Sequence, residues 1–252
     1  MKVSFMVAGV QKAGTTAMYE NLRLHSDIGM PRRKEPHFFD RDEADWAAPN
    51  YDILHRLYEP GRAIYGESTP ITIYWTSAHE RIRAYNPDIR FILLFRDPVE
   101  RAYSHWCMQY ARGAEKLSFA EAIRRGRQRI KEEPRRFSYV ERGFYGRQTA
   151  TLHMSFQKDH VLSLMSDDFL TERASTLAKV AEFVGVDSAG FASDAVFARA
   201  RKPMTYPSIV TDADRGYLQE LYANDLELFA KITNLDIGRW QSGARCIPSR
   251  AN

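Results

Sequence analysis

The sequence predicts an α/β protein, a single domain over residues 1–252 built on a parallel β-sheet flanked by helices. Three observations predict it. Short apolar runs recur along the chain, each ending at glycine or at charged residues, as expected of strands buried on both faces. Segments with apolar residues at helical spacing alternate with those runs, which implies right-handed crossovers and parallel pairing. The composition is that of an ordinary globular chain, 44% hydrophobic and 27% charged over 252 residues, and no repeat, low-complexity tract or linker divides it.

The elements follow in order. Val3 to Gly9 (VSFMVAG) reads as the first buried strand, and the helix after it starts at Thr15 and carries Ala17, Met18, Leu22 and Leu24 before His25-Ser26-Asp27 stops it. Ile64 to Glu67 is a second strand, followed by Thr69-Pro70 and a helix from about Trp75 to Tyr85. Arg90 to Phe95 (RFILLF) is the clearest strand, and Pro98 suits the first turn of the next helix, where its missing N–H costs nothing. Residues 112–142 are dense in charge, with no apolar stripe wide enough for a core element, and read as an exposed, mobile lid of helix and loop. Gln148 to Phe156 is helical, Val161 to Met165 is a fourth strand, and Leu170 to Val184 is helical again. A last long helix runs through Leu218, Leu221, Tyr222, Leu226 and Phe229, with Asp212 as its expected cap.

Charge and cysteine content narrow the classes. Lys and Arg total 36 against 32 Asp and Glu, a net +4 that favours anionic ligands without marking a dedicated nucleic-acid binder. The two cysteines, Cys107 and Cys246, exclude a disulfide scaffold and a cysteine-rich zinc module, and no His/Cys/Asp cluster has metal-ligand spacing. No stretch reaches the length of a membrane span, and the N-terminal apolar run is too short for a signal peptide, so the expected location is cytoplasmic. The oligomeric state is left open.

Three clusters carry chemistry. The first is G-V-Q-K-A-G-T-T at 9–16, a loop joining the first strand to the first helix, where backbone N–H groups and the helix N-terminus make a phosphate site. Its spacing matches the phosphate-binding loop of nucleotide triphosphatases except that Thr15 stands in the lysine slot, and Lys12 is the loop's cation. Phosphate binding survives that change better than γ-phosphoryl transfer, which counts against an ATP-dependent kinase. The second is K-E-P-H-F-F-D, where Glu35, His37 and Asp40 alternate with Phe38 and Phe39. A carboxylate beside aromatics is expected to have its pKa raised, as suits a general base, and an extended backbone would put Glu35 and His37 on one face. The competing reading pairs Glu35 with Arg32, Arg33 or Lys34 while the phenylalanines fill the core. The third is F-R-D-P-V-E-R-A-Y-S-H-W at 95–106, with Arg96 at the C-terminal end of a buried strand and Ser104 two helical turns on, a pair able to hold a second phosphate.

In this order the three clusters resemble the sulfotransferases that use 3′-phosphoadenosine-5′-phosphosulfate (PAPS), in the branch of the heparan sulfate sulfotransferases and their bacterial relatives. The resemblance runs from about residue 3 to residue 240 and implies a P-loop-like nucleotide-binding fold. It implies that Lys12, Ala13, Gly14, Thr15 and Thr16 hold the donor's 5′-phosphosulfate, and that Arg96 and Ser104 hold its 3′-phosphate. By the same resemblance Glu35 is the candidate general base, with His37 as the alternative base or the residue that orients the acceptor and Asp40 beside them; R-G-F-Y-G-R-Q at 142–148 brings Tyr145 near the adenine, and R-K-P-M-T-Y-P supplies Lys202 and Tyr206 from a late loop.

Two departures bear on the acceptor. Thr16 stands where the heparan 3-O-sulfating type has an arginine, and Ser68 in G-E-S-T-P stands where it has a lysine. Both changes remove a cation that would face a polyanion, which implies a hydroxyl on a small molecule, or on a less acidic glycan or glycolipid. Trp46, Tyr51, Trp106 and Tyr110 are the aromatics available to stack on such an acceptor. No metal is expected, because the donor has no polyphosphate chain for Mg²⁺ to bridge. The remaining rival is an RNA or nucleotide binder using the basic 112–142 stretch without catalysis.

Overall fold

The computed structural model describes residues 1–191 and 205–241, so Lys202 and Cys246 lie outside the described residues. In chain order the elements are β1 (Phe5–Gly9), α1 (Thr15–Leu24), β2 (Ile28–Gly29), α2 (Asp52–His55), β3 (Ile64–Ser68), α3 (Ser77–Tyr85), β4 (Arg90–Phe95) and α4 (Pro98–Ala111). There follow α5 (Phe119–Ile123), α6 (Pro134–Phe137), α7 (Tyr145–Ser155), β5 (Val161–Met165), α8 (Ser166–Thr171), α9 (Arg173–Val184), α10 (Asp212–Thr233) and α11 (Gly238–Gln241). The chain divides into two compact units, Met1–Arg96 with Gln148–Thr205, and Asp97–Arg147 with Tyr206–Asn252.

The first unit holds the whole sheet, in the order β2-β3-β1-β4-β5 with every pair parallel. All of β1, and β4 from Phe91 onward, are buried, because a parallel sheet covered on both faces leaves no side for polar residues. The edge strand β2 escapes sequence reading: two residues, Ile28 and Gly29, pair with Ile64 and Tyr65 and carry no period. The predicted helix over 170–184 is two helices, because Glu172 leaves helical geometry at φ −125° and ψ 48°. Leu24 at the end of α1 is exposed rather than part of the apolar face.

Where β1 meets β3, Phe5 lies opposite Gly66, and a Cβ at Gly66 would fall 2.1 Å from the Phe5 ring. Gly66→Ala is therefore expected to destabilise the sheet by about 1–3 kcal/mol through overpacking. A urea midpoint unchanged from wild type would show that Phe5 has another place to go.

In the second unit the cap of α10 is Thr211, not Asp212. The Thr211 hydroxyl accepts from the Asp214 N–H at 3.1 Å while the Asp214 carboxylate accepts from the Thr211 N–H at 3.2 Å, a reciprocal box that Asp212 is one residue too late to form. The 112–142 segment is likewise corrected. It is anchored rather than an exposed lid: Phe119, Ile123 and Tyr139 are fully buried, and so is Glu115. The Glu115 carboxylate accepts from the Lys116 and Leu117 N–H groups at 2.7 and 2.8 Å, from both Arg129 terminal nitrogens at 3.0 and 2.8 Å, and from the Tyr139 hydroxyl at 2.8 Å. A single buried carboxylate with short apolar plugs replaces the stripe that the sequence lacks.

Candidate active site

Every part of the site that the first unit carries stands at the C-terminal ends of its parallel strands, where open α/β sheets place ligands. The loop after β1 is closed on itself by the Ala13 N–H on the Val10 carbonyl at 3.2 Å and tied to β4 by the Val10 N–H on the Leu94 carbonyl at 2.8 Å. Lys12 and Gly14 both have positive φ, 76° and 89°, which turns successive peptide groups to one side. Gly14 is the N-cap of α1 and no side chain caps the helix, so the first-turn N–H groups open into the loop. Thr15 is buried under the loop and Thr16 is exposed on that first turn. Arg96, just past β4, brings a terminal nitrogen within 3.5 Å of the Lys12 carbonyl oxygen. A cradle with a helix N-terminus, a lysine and a nearby guanidinium fits a phosphate-bearing ligand.

The second cluster is set by backbone rather than by an extended strand. Glu35 and His37 both adopt left-handed φ, 57° and 53°, and the Glu35 N–H donates to the Ser68 carbonyl at 3.0 Å, pinning the segment to the end of β3. The two side chains meet nonetheless, with His37 Nε2 3.5 Å from Glu35 Oε2 and His37 Nδ1 2.8 Å from Asp40 Oδ2. Lys34 Nζ is 2.5 Å from Glu35 Oε1. Phe38 and Phe39 are buried and Lys34 pairs with Glu35, both as the competing core-filling reading expected.

The electrostatics correct one expectation. Burial raises the Glu35 carboxyl, but the hydrogen bond from His37 and the Lys34 ammonium outweigh it and bring the pKa down to about 2, the opposite of the predicted rise. His37, hydrogen-bonded to Asp40 and then to Glu35, is raised to about 9 against the opposing effect of burial. At neutral pH the array is therefore carboxylate, imidazolium, carboxylate. An imidazolium bonded to carboxylates through both nitrogens has no lone pair to take a proton.

Beside this array Arg41 Nε donates to the His37 carbonyl at 2.9 Å, and the loop it starts encloses a cavity of about 180 Å³ lined by Phe38, Trp46, Pro49 and Ile53 among others. Trp46 packs edge-on against Phe38 at 5.6 Å and lies under the Arg81 guanidinium at 4.7 Å. Tyr51 is within 6.0 Å of Phe38.

The remaining predicted residues among those described belong to the second unit. Ser104 is buried on α4. Tyr206 is half-buried, its ring 6.2 Å from Trp106 and 6.1 Å from Tyr110. Trp106 is fully buried, a core ring rather than an exposed platform. Tyr145 is a correction: it has no exposed surface and packs between Phe229 at 5.7 Å and Trp240 at 6.0 Å, so its ring offers no face to an adenine. Sequence reading passed over Glu67, which is treated below, and Ser166, whose Oγ lies 3.6 Å from where a Cβ on Gly14 would be.

The profile of the sulfotransferase domain matches residues 2–205. The chain belongs to the sulfotransferase domain family. Human heparan sulfate glucosamine 3-O-sulfotransferase 6 is 30% identical to this sulfotransferase-family chain over 182 residues, 72% of this chain and 52% of that protein. Mouse heparan sulfate glucosamine 3-O-sulfotransferase 3A1 is 29% identical over 181 residues, 72% of this chain and 45% of that one. The chain spans about half the length of these curated relatives. A solved sulfotransferase from Alicyclobacillus acidocaldarius superposes with a TM-score of 0.79 at 23% identity, covering 96% of this chain and 99% of that one, which shows a shared fold. Among the described residues of this sulfotransferase-family chain no helix is long and apolar enough to cross a membrane.

Proposed function

We propose that this chain is an O-sulfotransferase that moves the sulfuryl group of PAPS to a hydroxyl of a small molecule, with Glu35 as the general base. The observation that carries the reading is the Glu35–His37–Asp40 array, held by Ser68 at the same edge of the sheet as the phosphate cradle. Lys12, Ala13, Gly14, Thr15 and Thr16 would hold the 5′-phosphosulfate and Arg96 the 3′-phosphate, with Ser104, Tyr206 and Lys202 as further donor contacts by family resemblance. Tyr145 is left out because it is enclosed.

In the transfer the acceptor oxygen forms its bond to sulfur as the bond from sulfur to the 5′-phosphate oxygen breaks. The electron pair leaves on that phosphate oxygen, which Lys12 neutralises, and the acceptor's proton goes to Glu35. A carboxylate with so low a pKa is a weak base at the outset. It suffices because the hydroxyl becomes strongly acidic once its oxygen begins to bond to sulfur, so the proton moves late. His37 and Asp40 then act as positioning residues that hold Glu35 ionised and aimed.

The mostly apolar cavity walled by Phe38, Trp46, Pro49 and Ile53, with Arg41, Asp45 and Asn50 as its polar lining, favours an acceptor with an aryl or alkyl portion. A glycan acceptor is the second reading, favoured by the names of the relatives. Oligonucleotide binding draws no support from the 112–142 stretch, where Arg124, Arg127 and Arg129 pair with Asp214, Glu141 and Glu115 at 2.6, 2.7 and 2.8 Å.

A thermal-shift comparison tests the donor. Adenosine 3′,5′-bisphosphate (PAP) is expected to raise the melting temperature more than ADP or Mg-ATP at equal concentration. Preference for Mg-ATP would overturn the reading in favour of a kinase. Transfer from PAPS to a panel of aryl and alkyl alcohols, set against desulfated heparan oligosaccharides, then decides the acceptor class.

A further inference from the structure

Behind the proposed base lies a carboxyl group that the reaction as written does not use. Glu67 sits on β3, one residue before the Ser68 whose carbonyl holds Glu35, and is 1% exposed. Its Oε1 accepts from the Thr69 hydroxyl at 2.6 Å, while Oε2 is buried with no hydrogen-bond partner. The ionisable groups facing it come from three places: Asp40 and His37 from the segment after β2, Tyr58 from the loop after α2, and Tyr85 from α3. The Tyr58 hydroxyl is also buried and without a hydrogen-bond partner. A buried carboxylate oxygen with no donor is costly, and evolution of a core would normally replace such a group by an apolar one unless its charge matters.

We propose that Glu67 is a positioning residue of the transfer site, a second acid whose proton sets the strength of the Glu35 base through Asp40 and His37. The inference rests on the reading of Glu35 above. Burial is the main force that lifts the Glu67 carboxyl, the Asp40 charge adds to it, and the Thr69 hydroxyl and His37 oppose them, leaving it at about 7. With Glu67 neutral, the His37 cation is shared between Glu35 and Asp40 alone. When Glu67 loses its proton, an added negative charge in the dry interior raises the proton affinity of its neighbours. Glu35, a weak base, becomes a stronger one. The sign follows from Coulomb's law alone: transfer speeds up as pH rises through the Glu67 ionisation.

The test is the single-turnover conversion of bound PAPS to PAP with water as acceptor, which avoids an acceptor that itself titrates. Between pH 6 and 8 the wild-type rate is expected to rise about threefold, because a stronger general base speeds proton transfer by less than its full gain in basicity. Glu67→Gln removes the ionisation and should give a flat profile at the low-pH rate, with PAP still raising the melting temperature as in wild type. Thr69→Val removes the hydrogen bond that stabilises the charged form and should move the rise to higher pH, which keeps the test open if Glu67→Gln fails to fold. An infrared carbonyl band of a protonated carboxyl, titrating near neutral pH in the wild type, reports the same proton without any turnover. A wild-type rise that persists in Glu67→Gln, or a wild type with no such band, overturns the proposal. A titrating band in a protein that binds PAP but never converts PAPS, with water or with any alcohol of the panel, would instead sink the assignment of Glu35, and the tuning role with it.

Discussion

Glu35→Gln is expected to lower the rate of sulfuryl transfer about 10²- to 10⁴-fold, the usual range for loss of a general base, with PAP affinity nearly unchanged. The amide keeps the size of the side chain and can still meet His37 and Lys34, so the loss isolates proton acceptance from position. Glu35 and Lys34 lie 2.5 Å apart, and His37 is 3.5 Å from the other carboxylate oxygen. Removing the negative charge leaves His37 with Asp40 as its anionic partner, so its imidazolium loses part of its support and its pKa should fall from about 9. NMR titration of the His37 ring in the variant measures that shift, and single-turnover transfer from PAPS measures the rate. A variant with near wild-type turnover would remove Glu35 from the role of base. The role would then pass to His37, which in the wild type is an imidazolium held between two carboxylates and in the variant keeps only Asp40 as an anionic partner. With Glu35 as the base, His37→Asn should slow transfer by misplacing it.

Glu115→Ala is expected to destabilise the second unit by about 3 kcal/mol, the scale for leaving a buried ion pair with one partner. The carboxylate has no exposed side-chain surface, and its loss strands the buried Tyr139 hydroxyl together with the Lys116 and Leu117 N–H groups. Arg129 is a quarter exposed and regains some water, which holds the figure at the low end of that scale. The consequence is local before it is global. Residues 124–136 carry most of the arginines of the charged stretch, and limited trypsin digestion should cut there several times faster in the variant, with Glu115→Gln intermediate because it keeps one acceptor oxygen. Digestion at the wild-type rate would mean that Phe119 and Ile123 hold the segment without the ion pair.

How much was legible in the sequence depends on how local the determining interaction is. The strands β1, β3, β4 and β5 are short apolar runs ended by glycine or charge, and a run of that kind has few places to go other than a sheet covered on both faces. The turn at 9–16 was legible for a similar reason, because a glycine at a positive φ followed by a helix start is a backbone device that residue types announce directly. β2 was not legible, since two residues paired to Ile64 and Tyr65 carry no pattern. The anchoring of 112–142 was hidden because it depends on one carboxylate meeting Arg129 and Tyr139 across the chain.

The site divides along the same line. The residues Glu35, His37, Asp40, Lys12 and Arg96 are named by the sequence, because their chemistry and order are written in the chain itself. Their charge states are not. The direction of the Glu35 shift reverses the expectation drawn from its aromatic neighbours, because distances of a few ångströms to Lys34 and His37 outweigh burial, and such distances exist only in the folded chain. Glu67 is the extreme case: as a residue in a strand it reads as one acidic position among many, and only its burial in the folded chain, with Asp40 and His37 as charged neighbours, raises its carboxyl to about 7. Sequence determined which groups are present and on which elements. Tertiary structure decided which of them carry a proton, because proton affinity is set by burial and by the nearest charges, and both are properties of the fold.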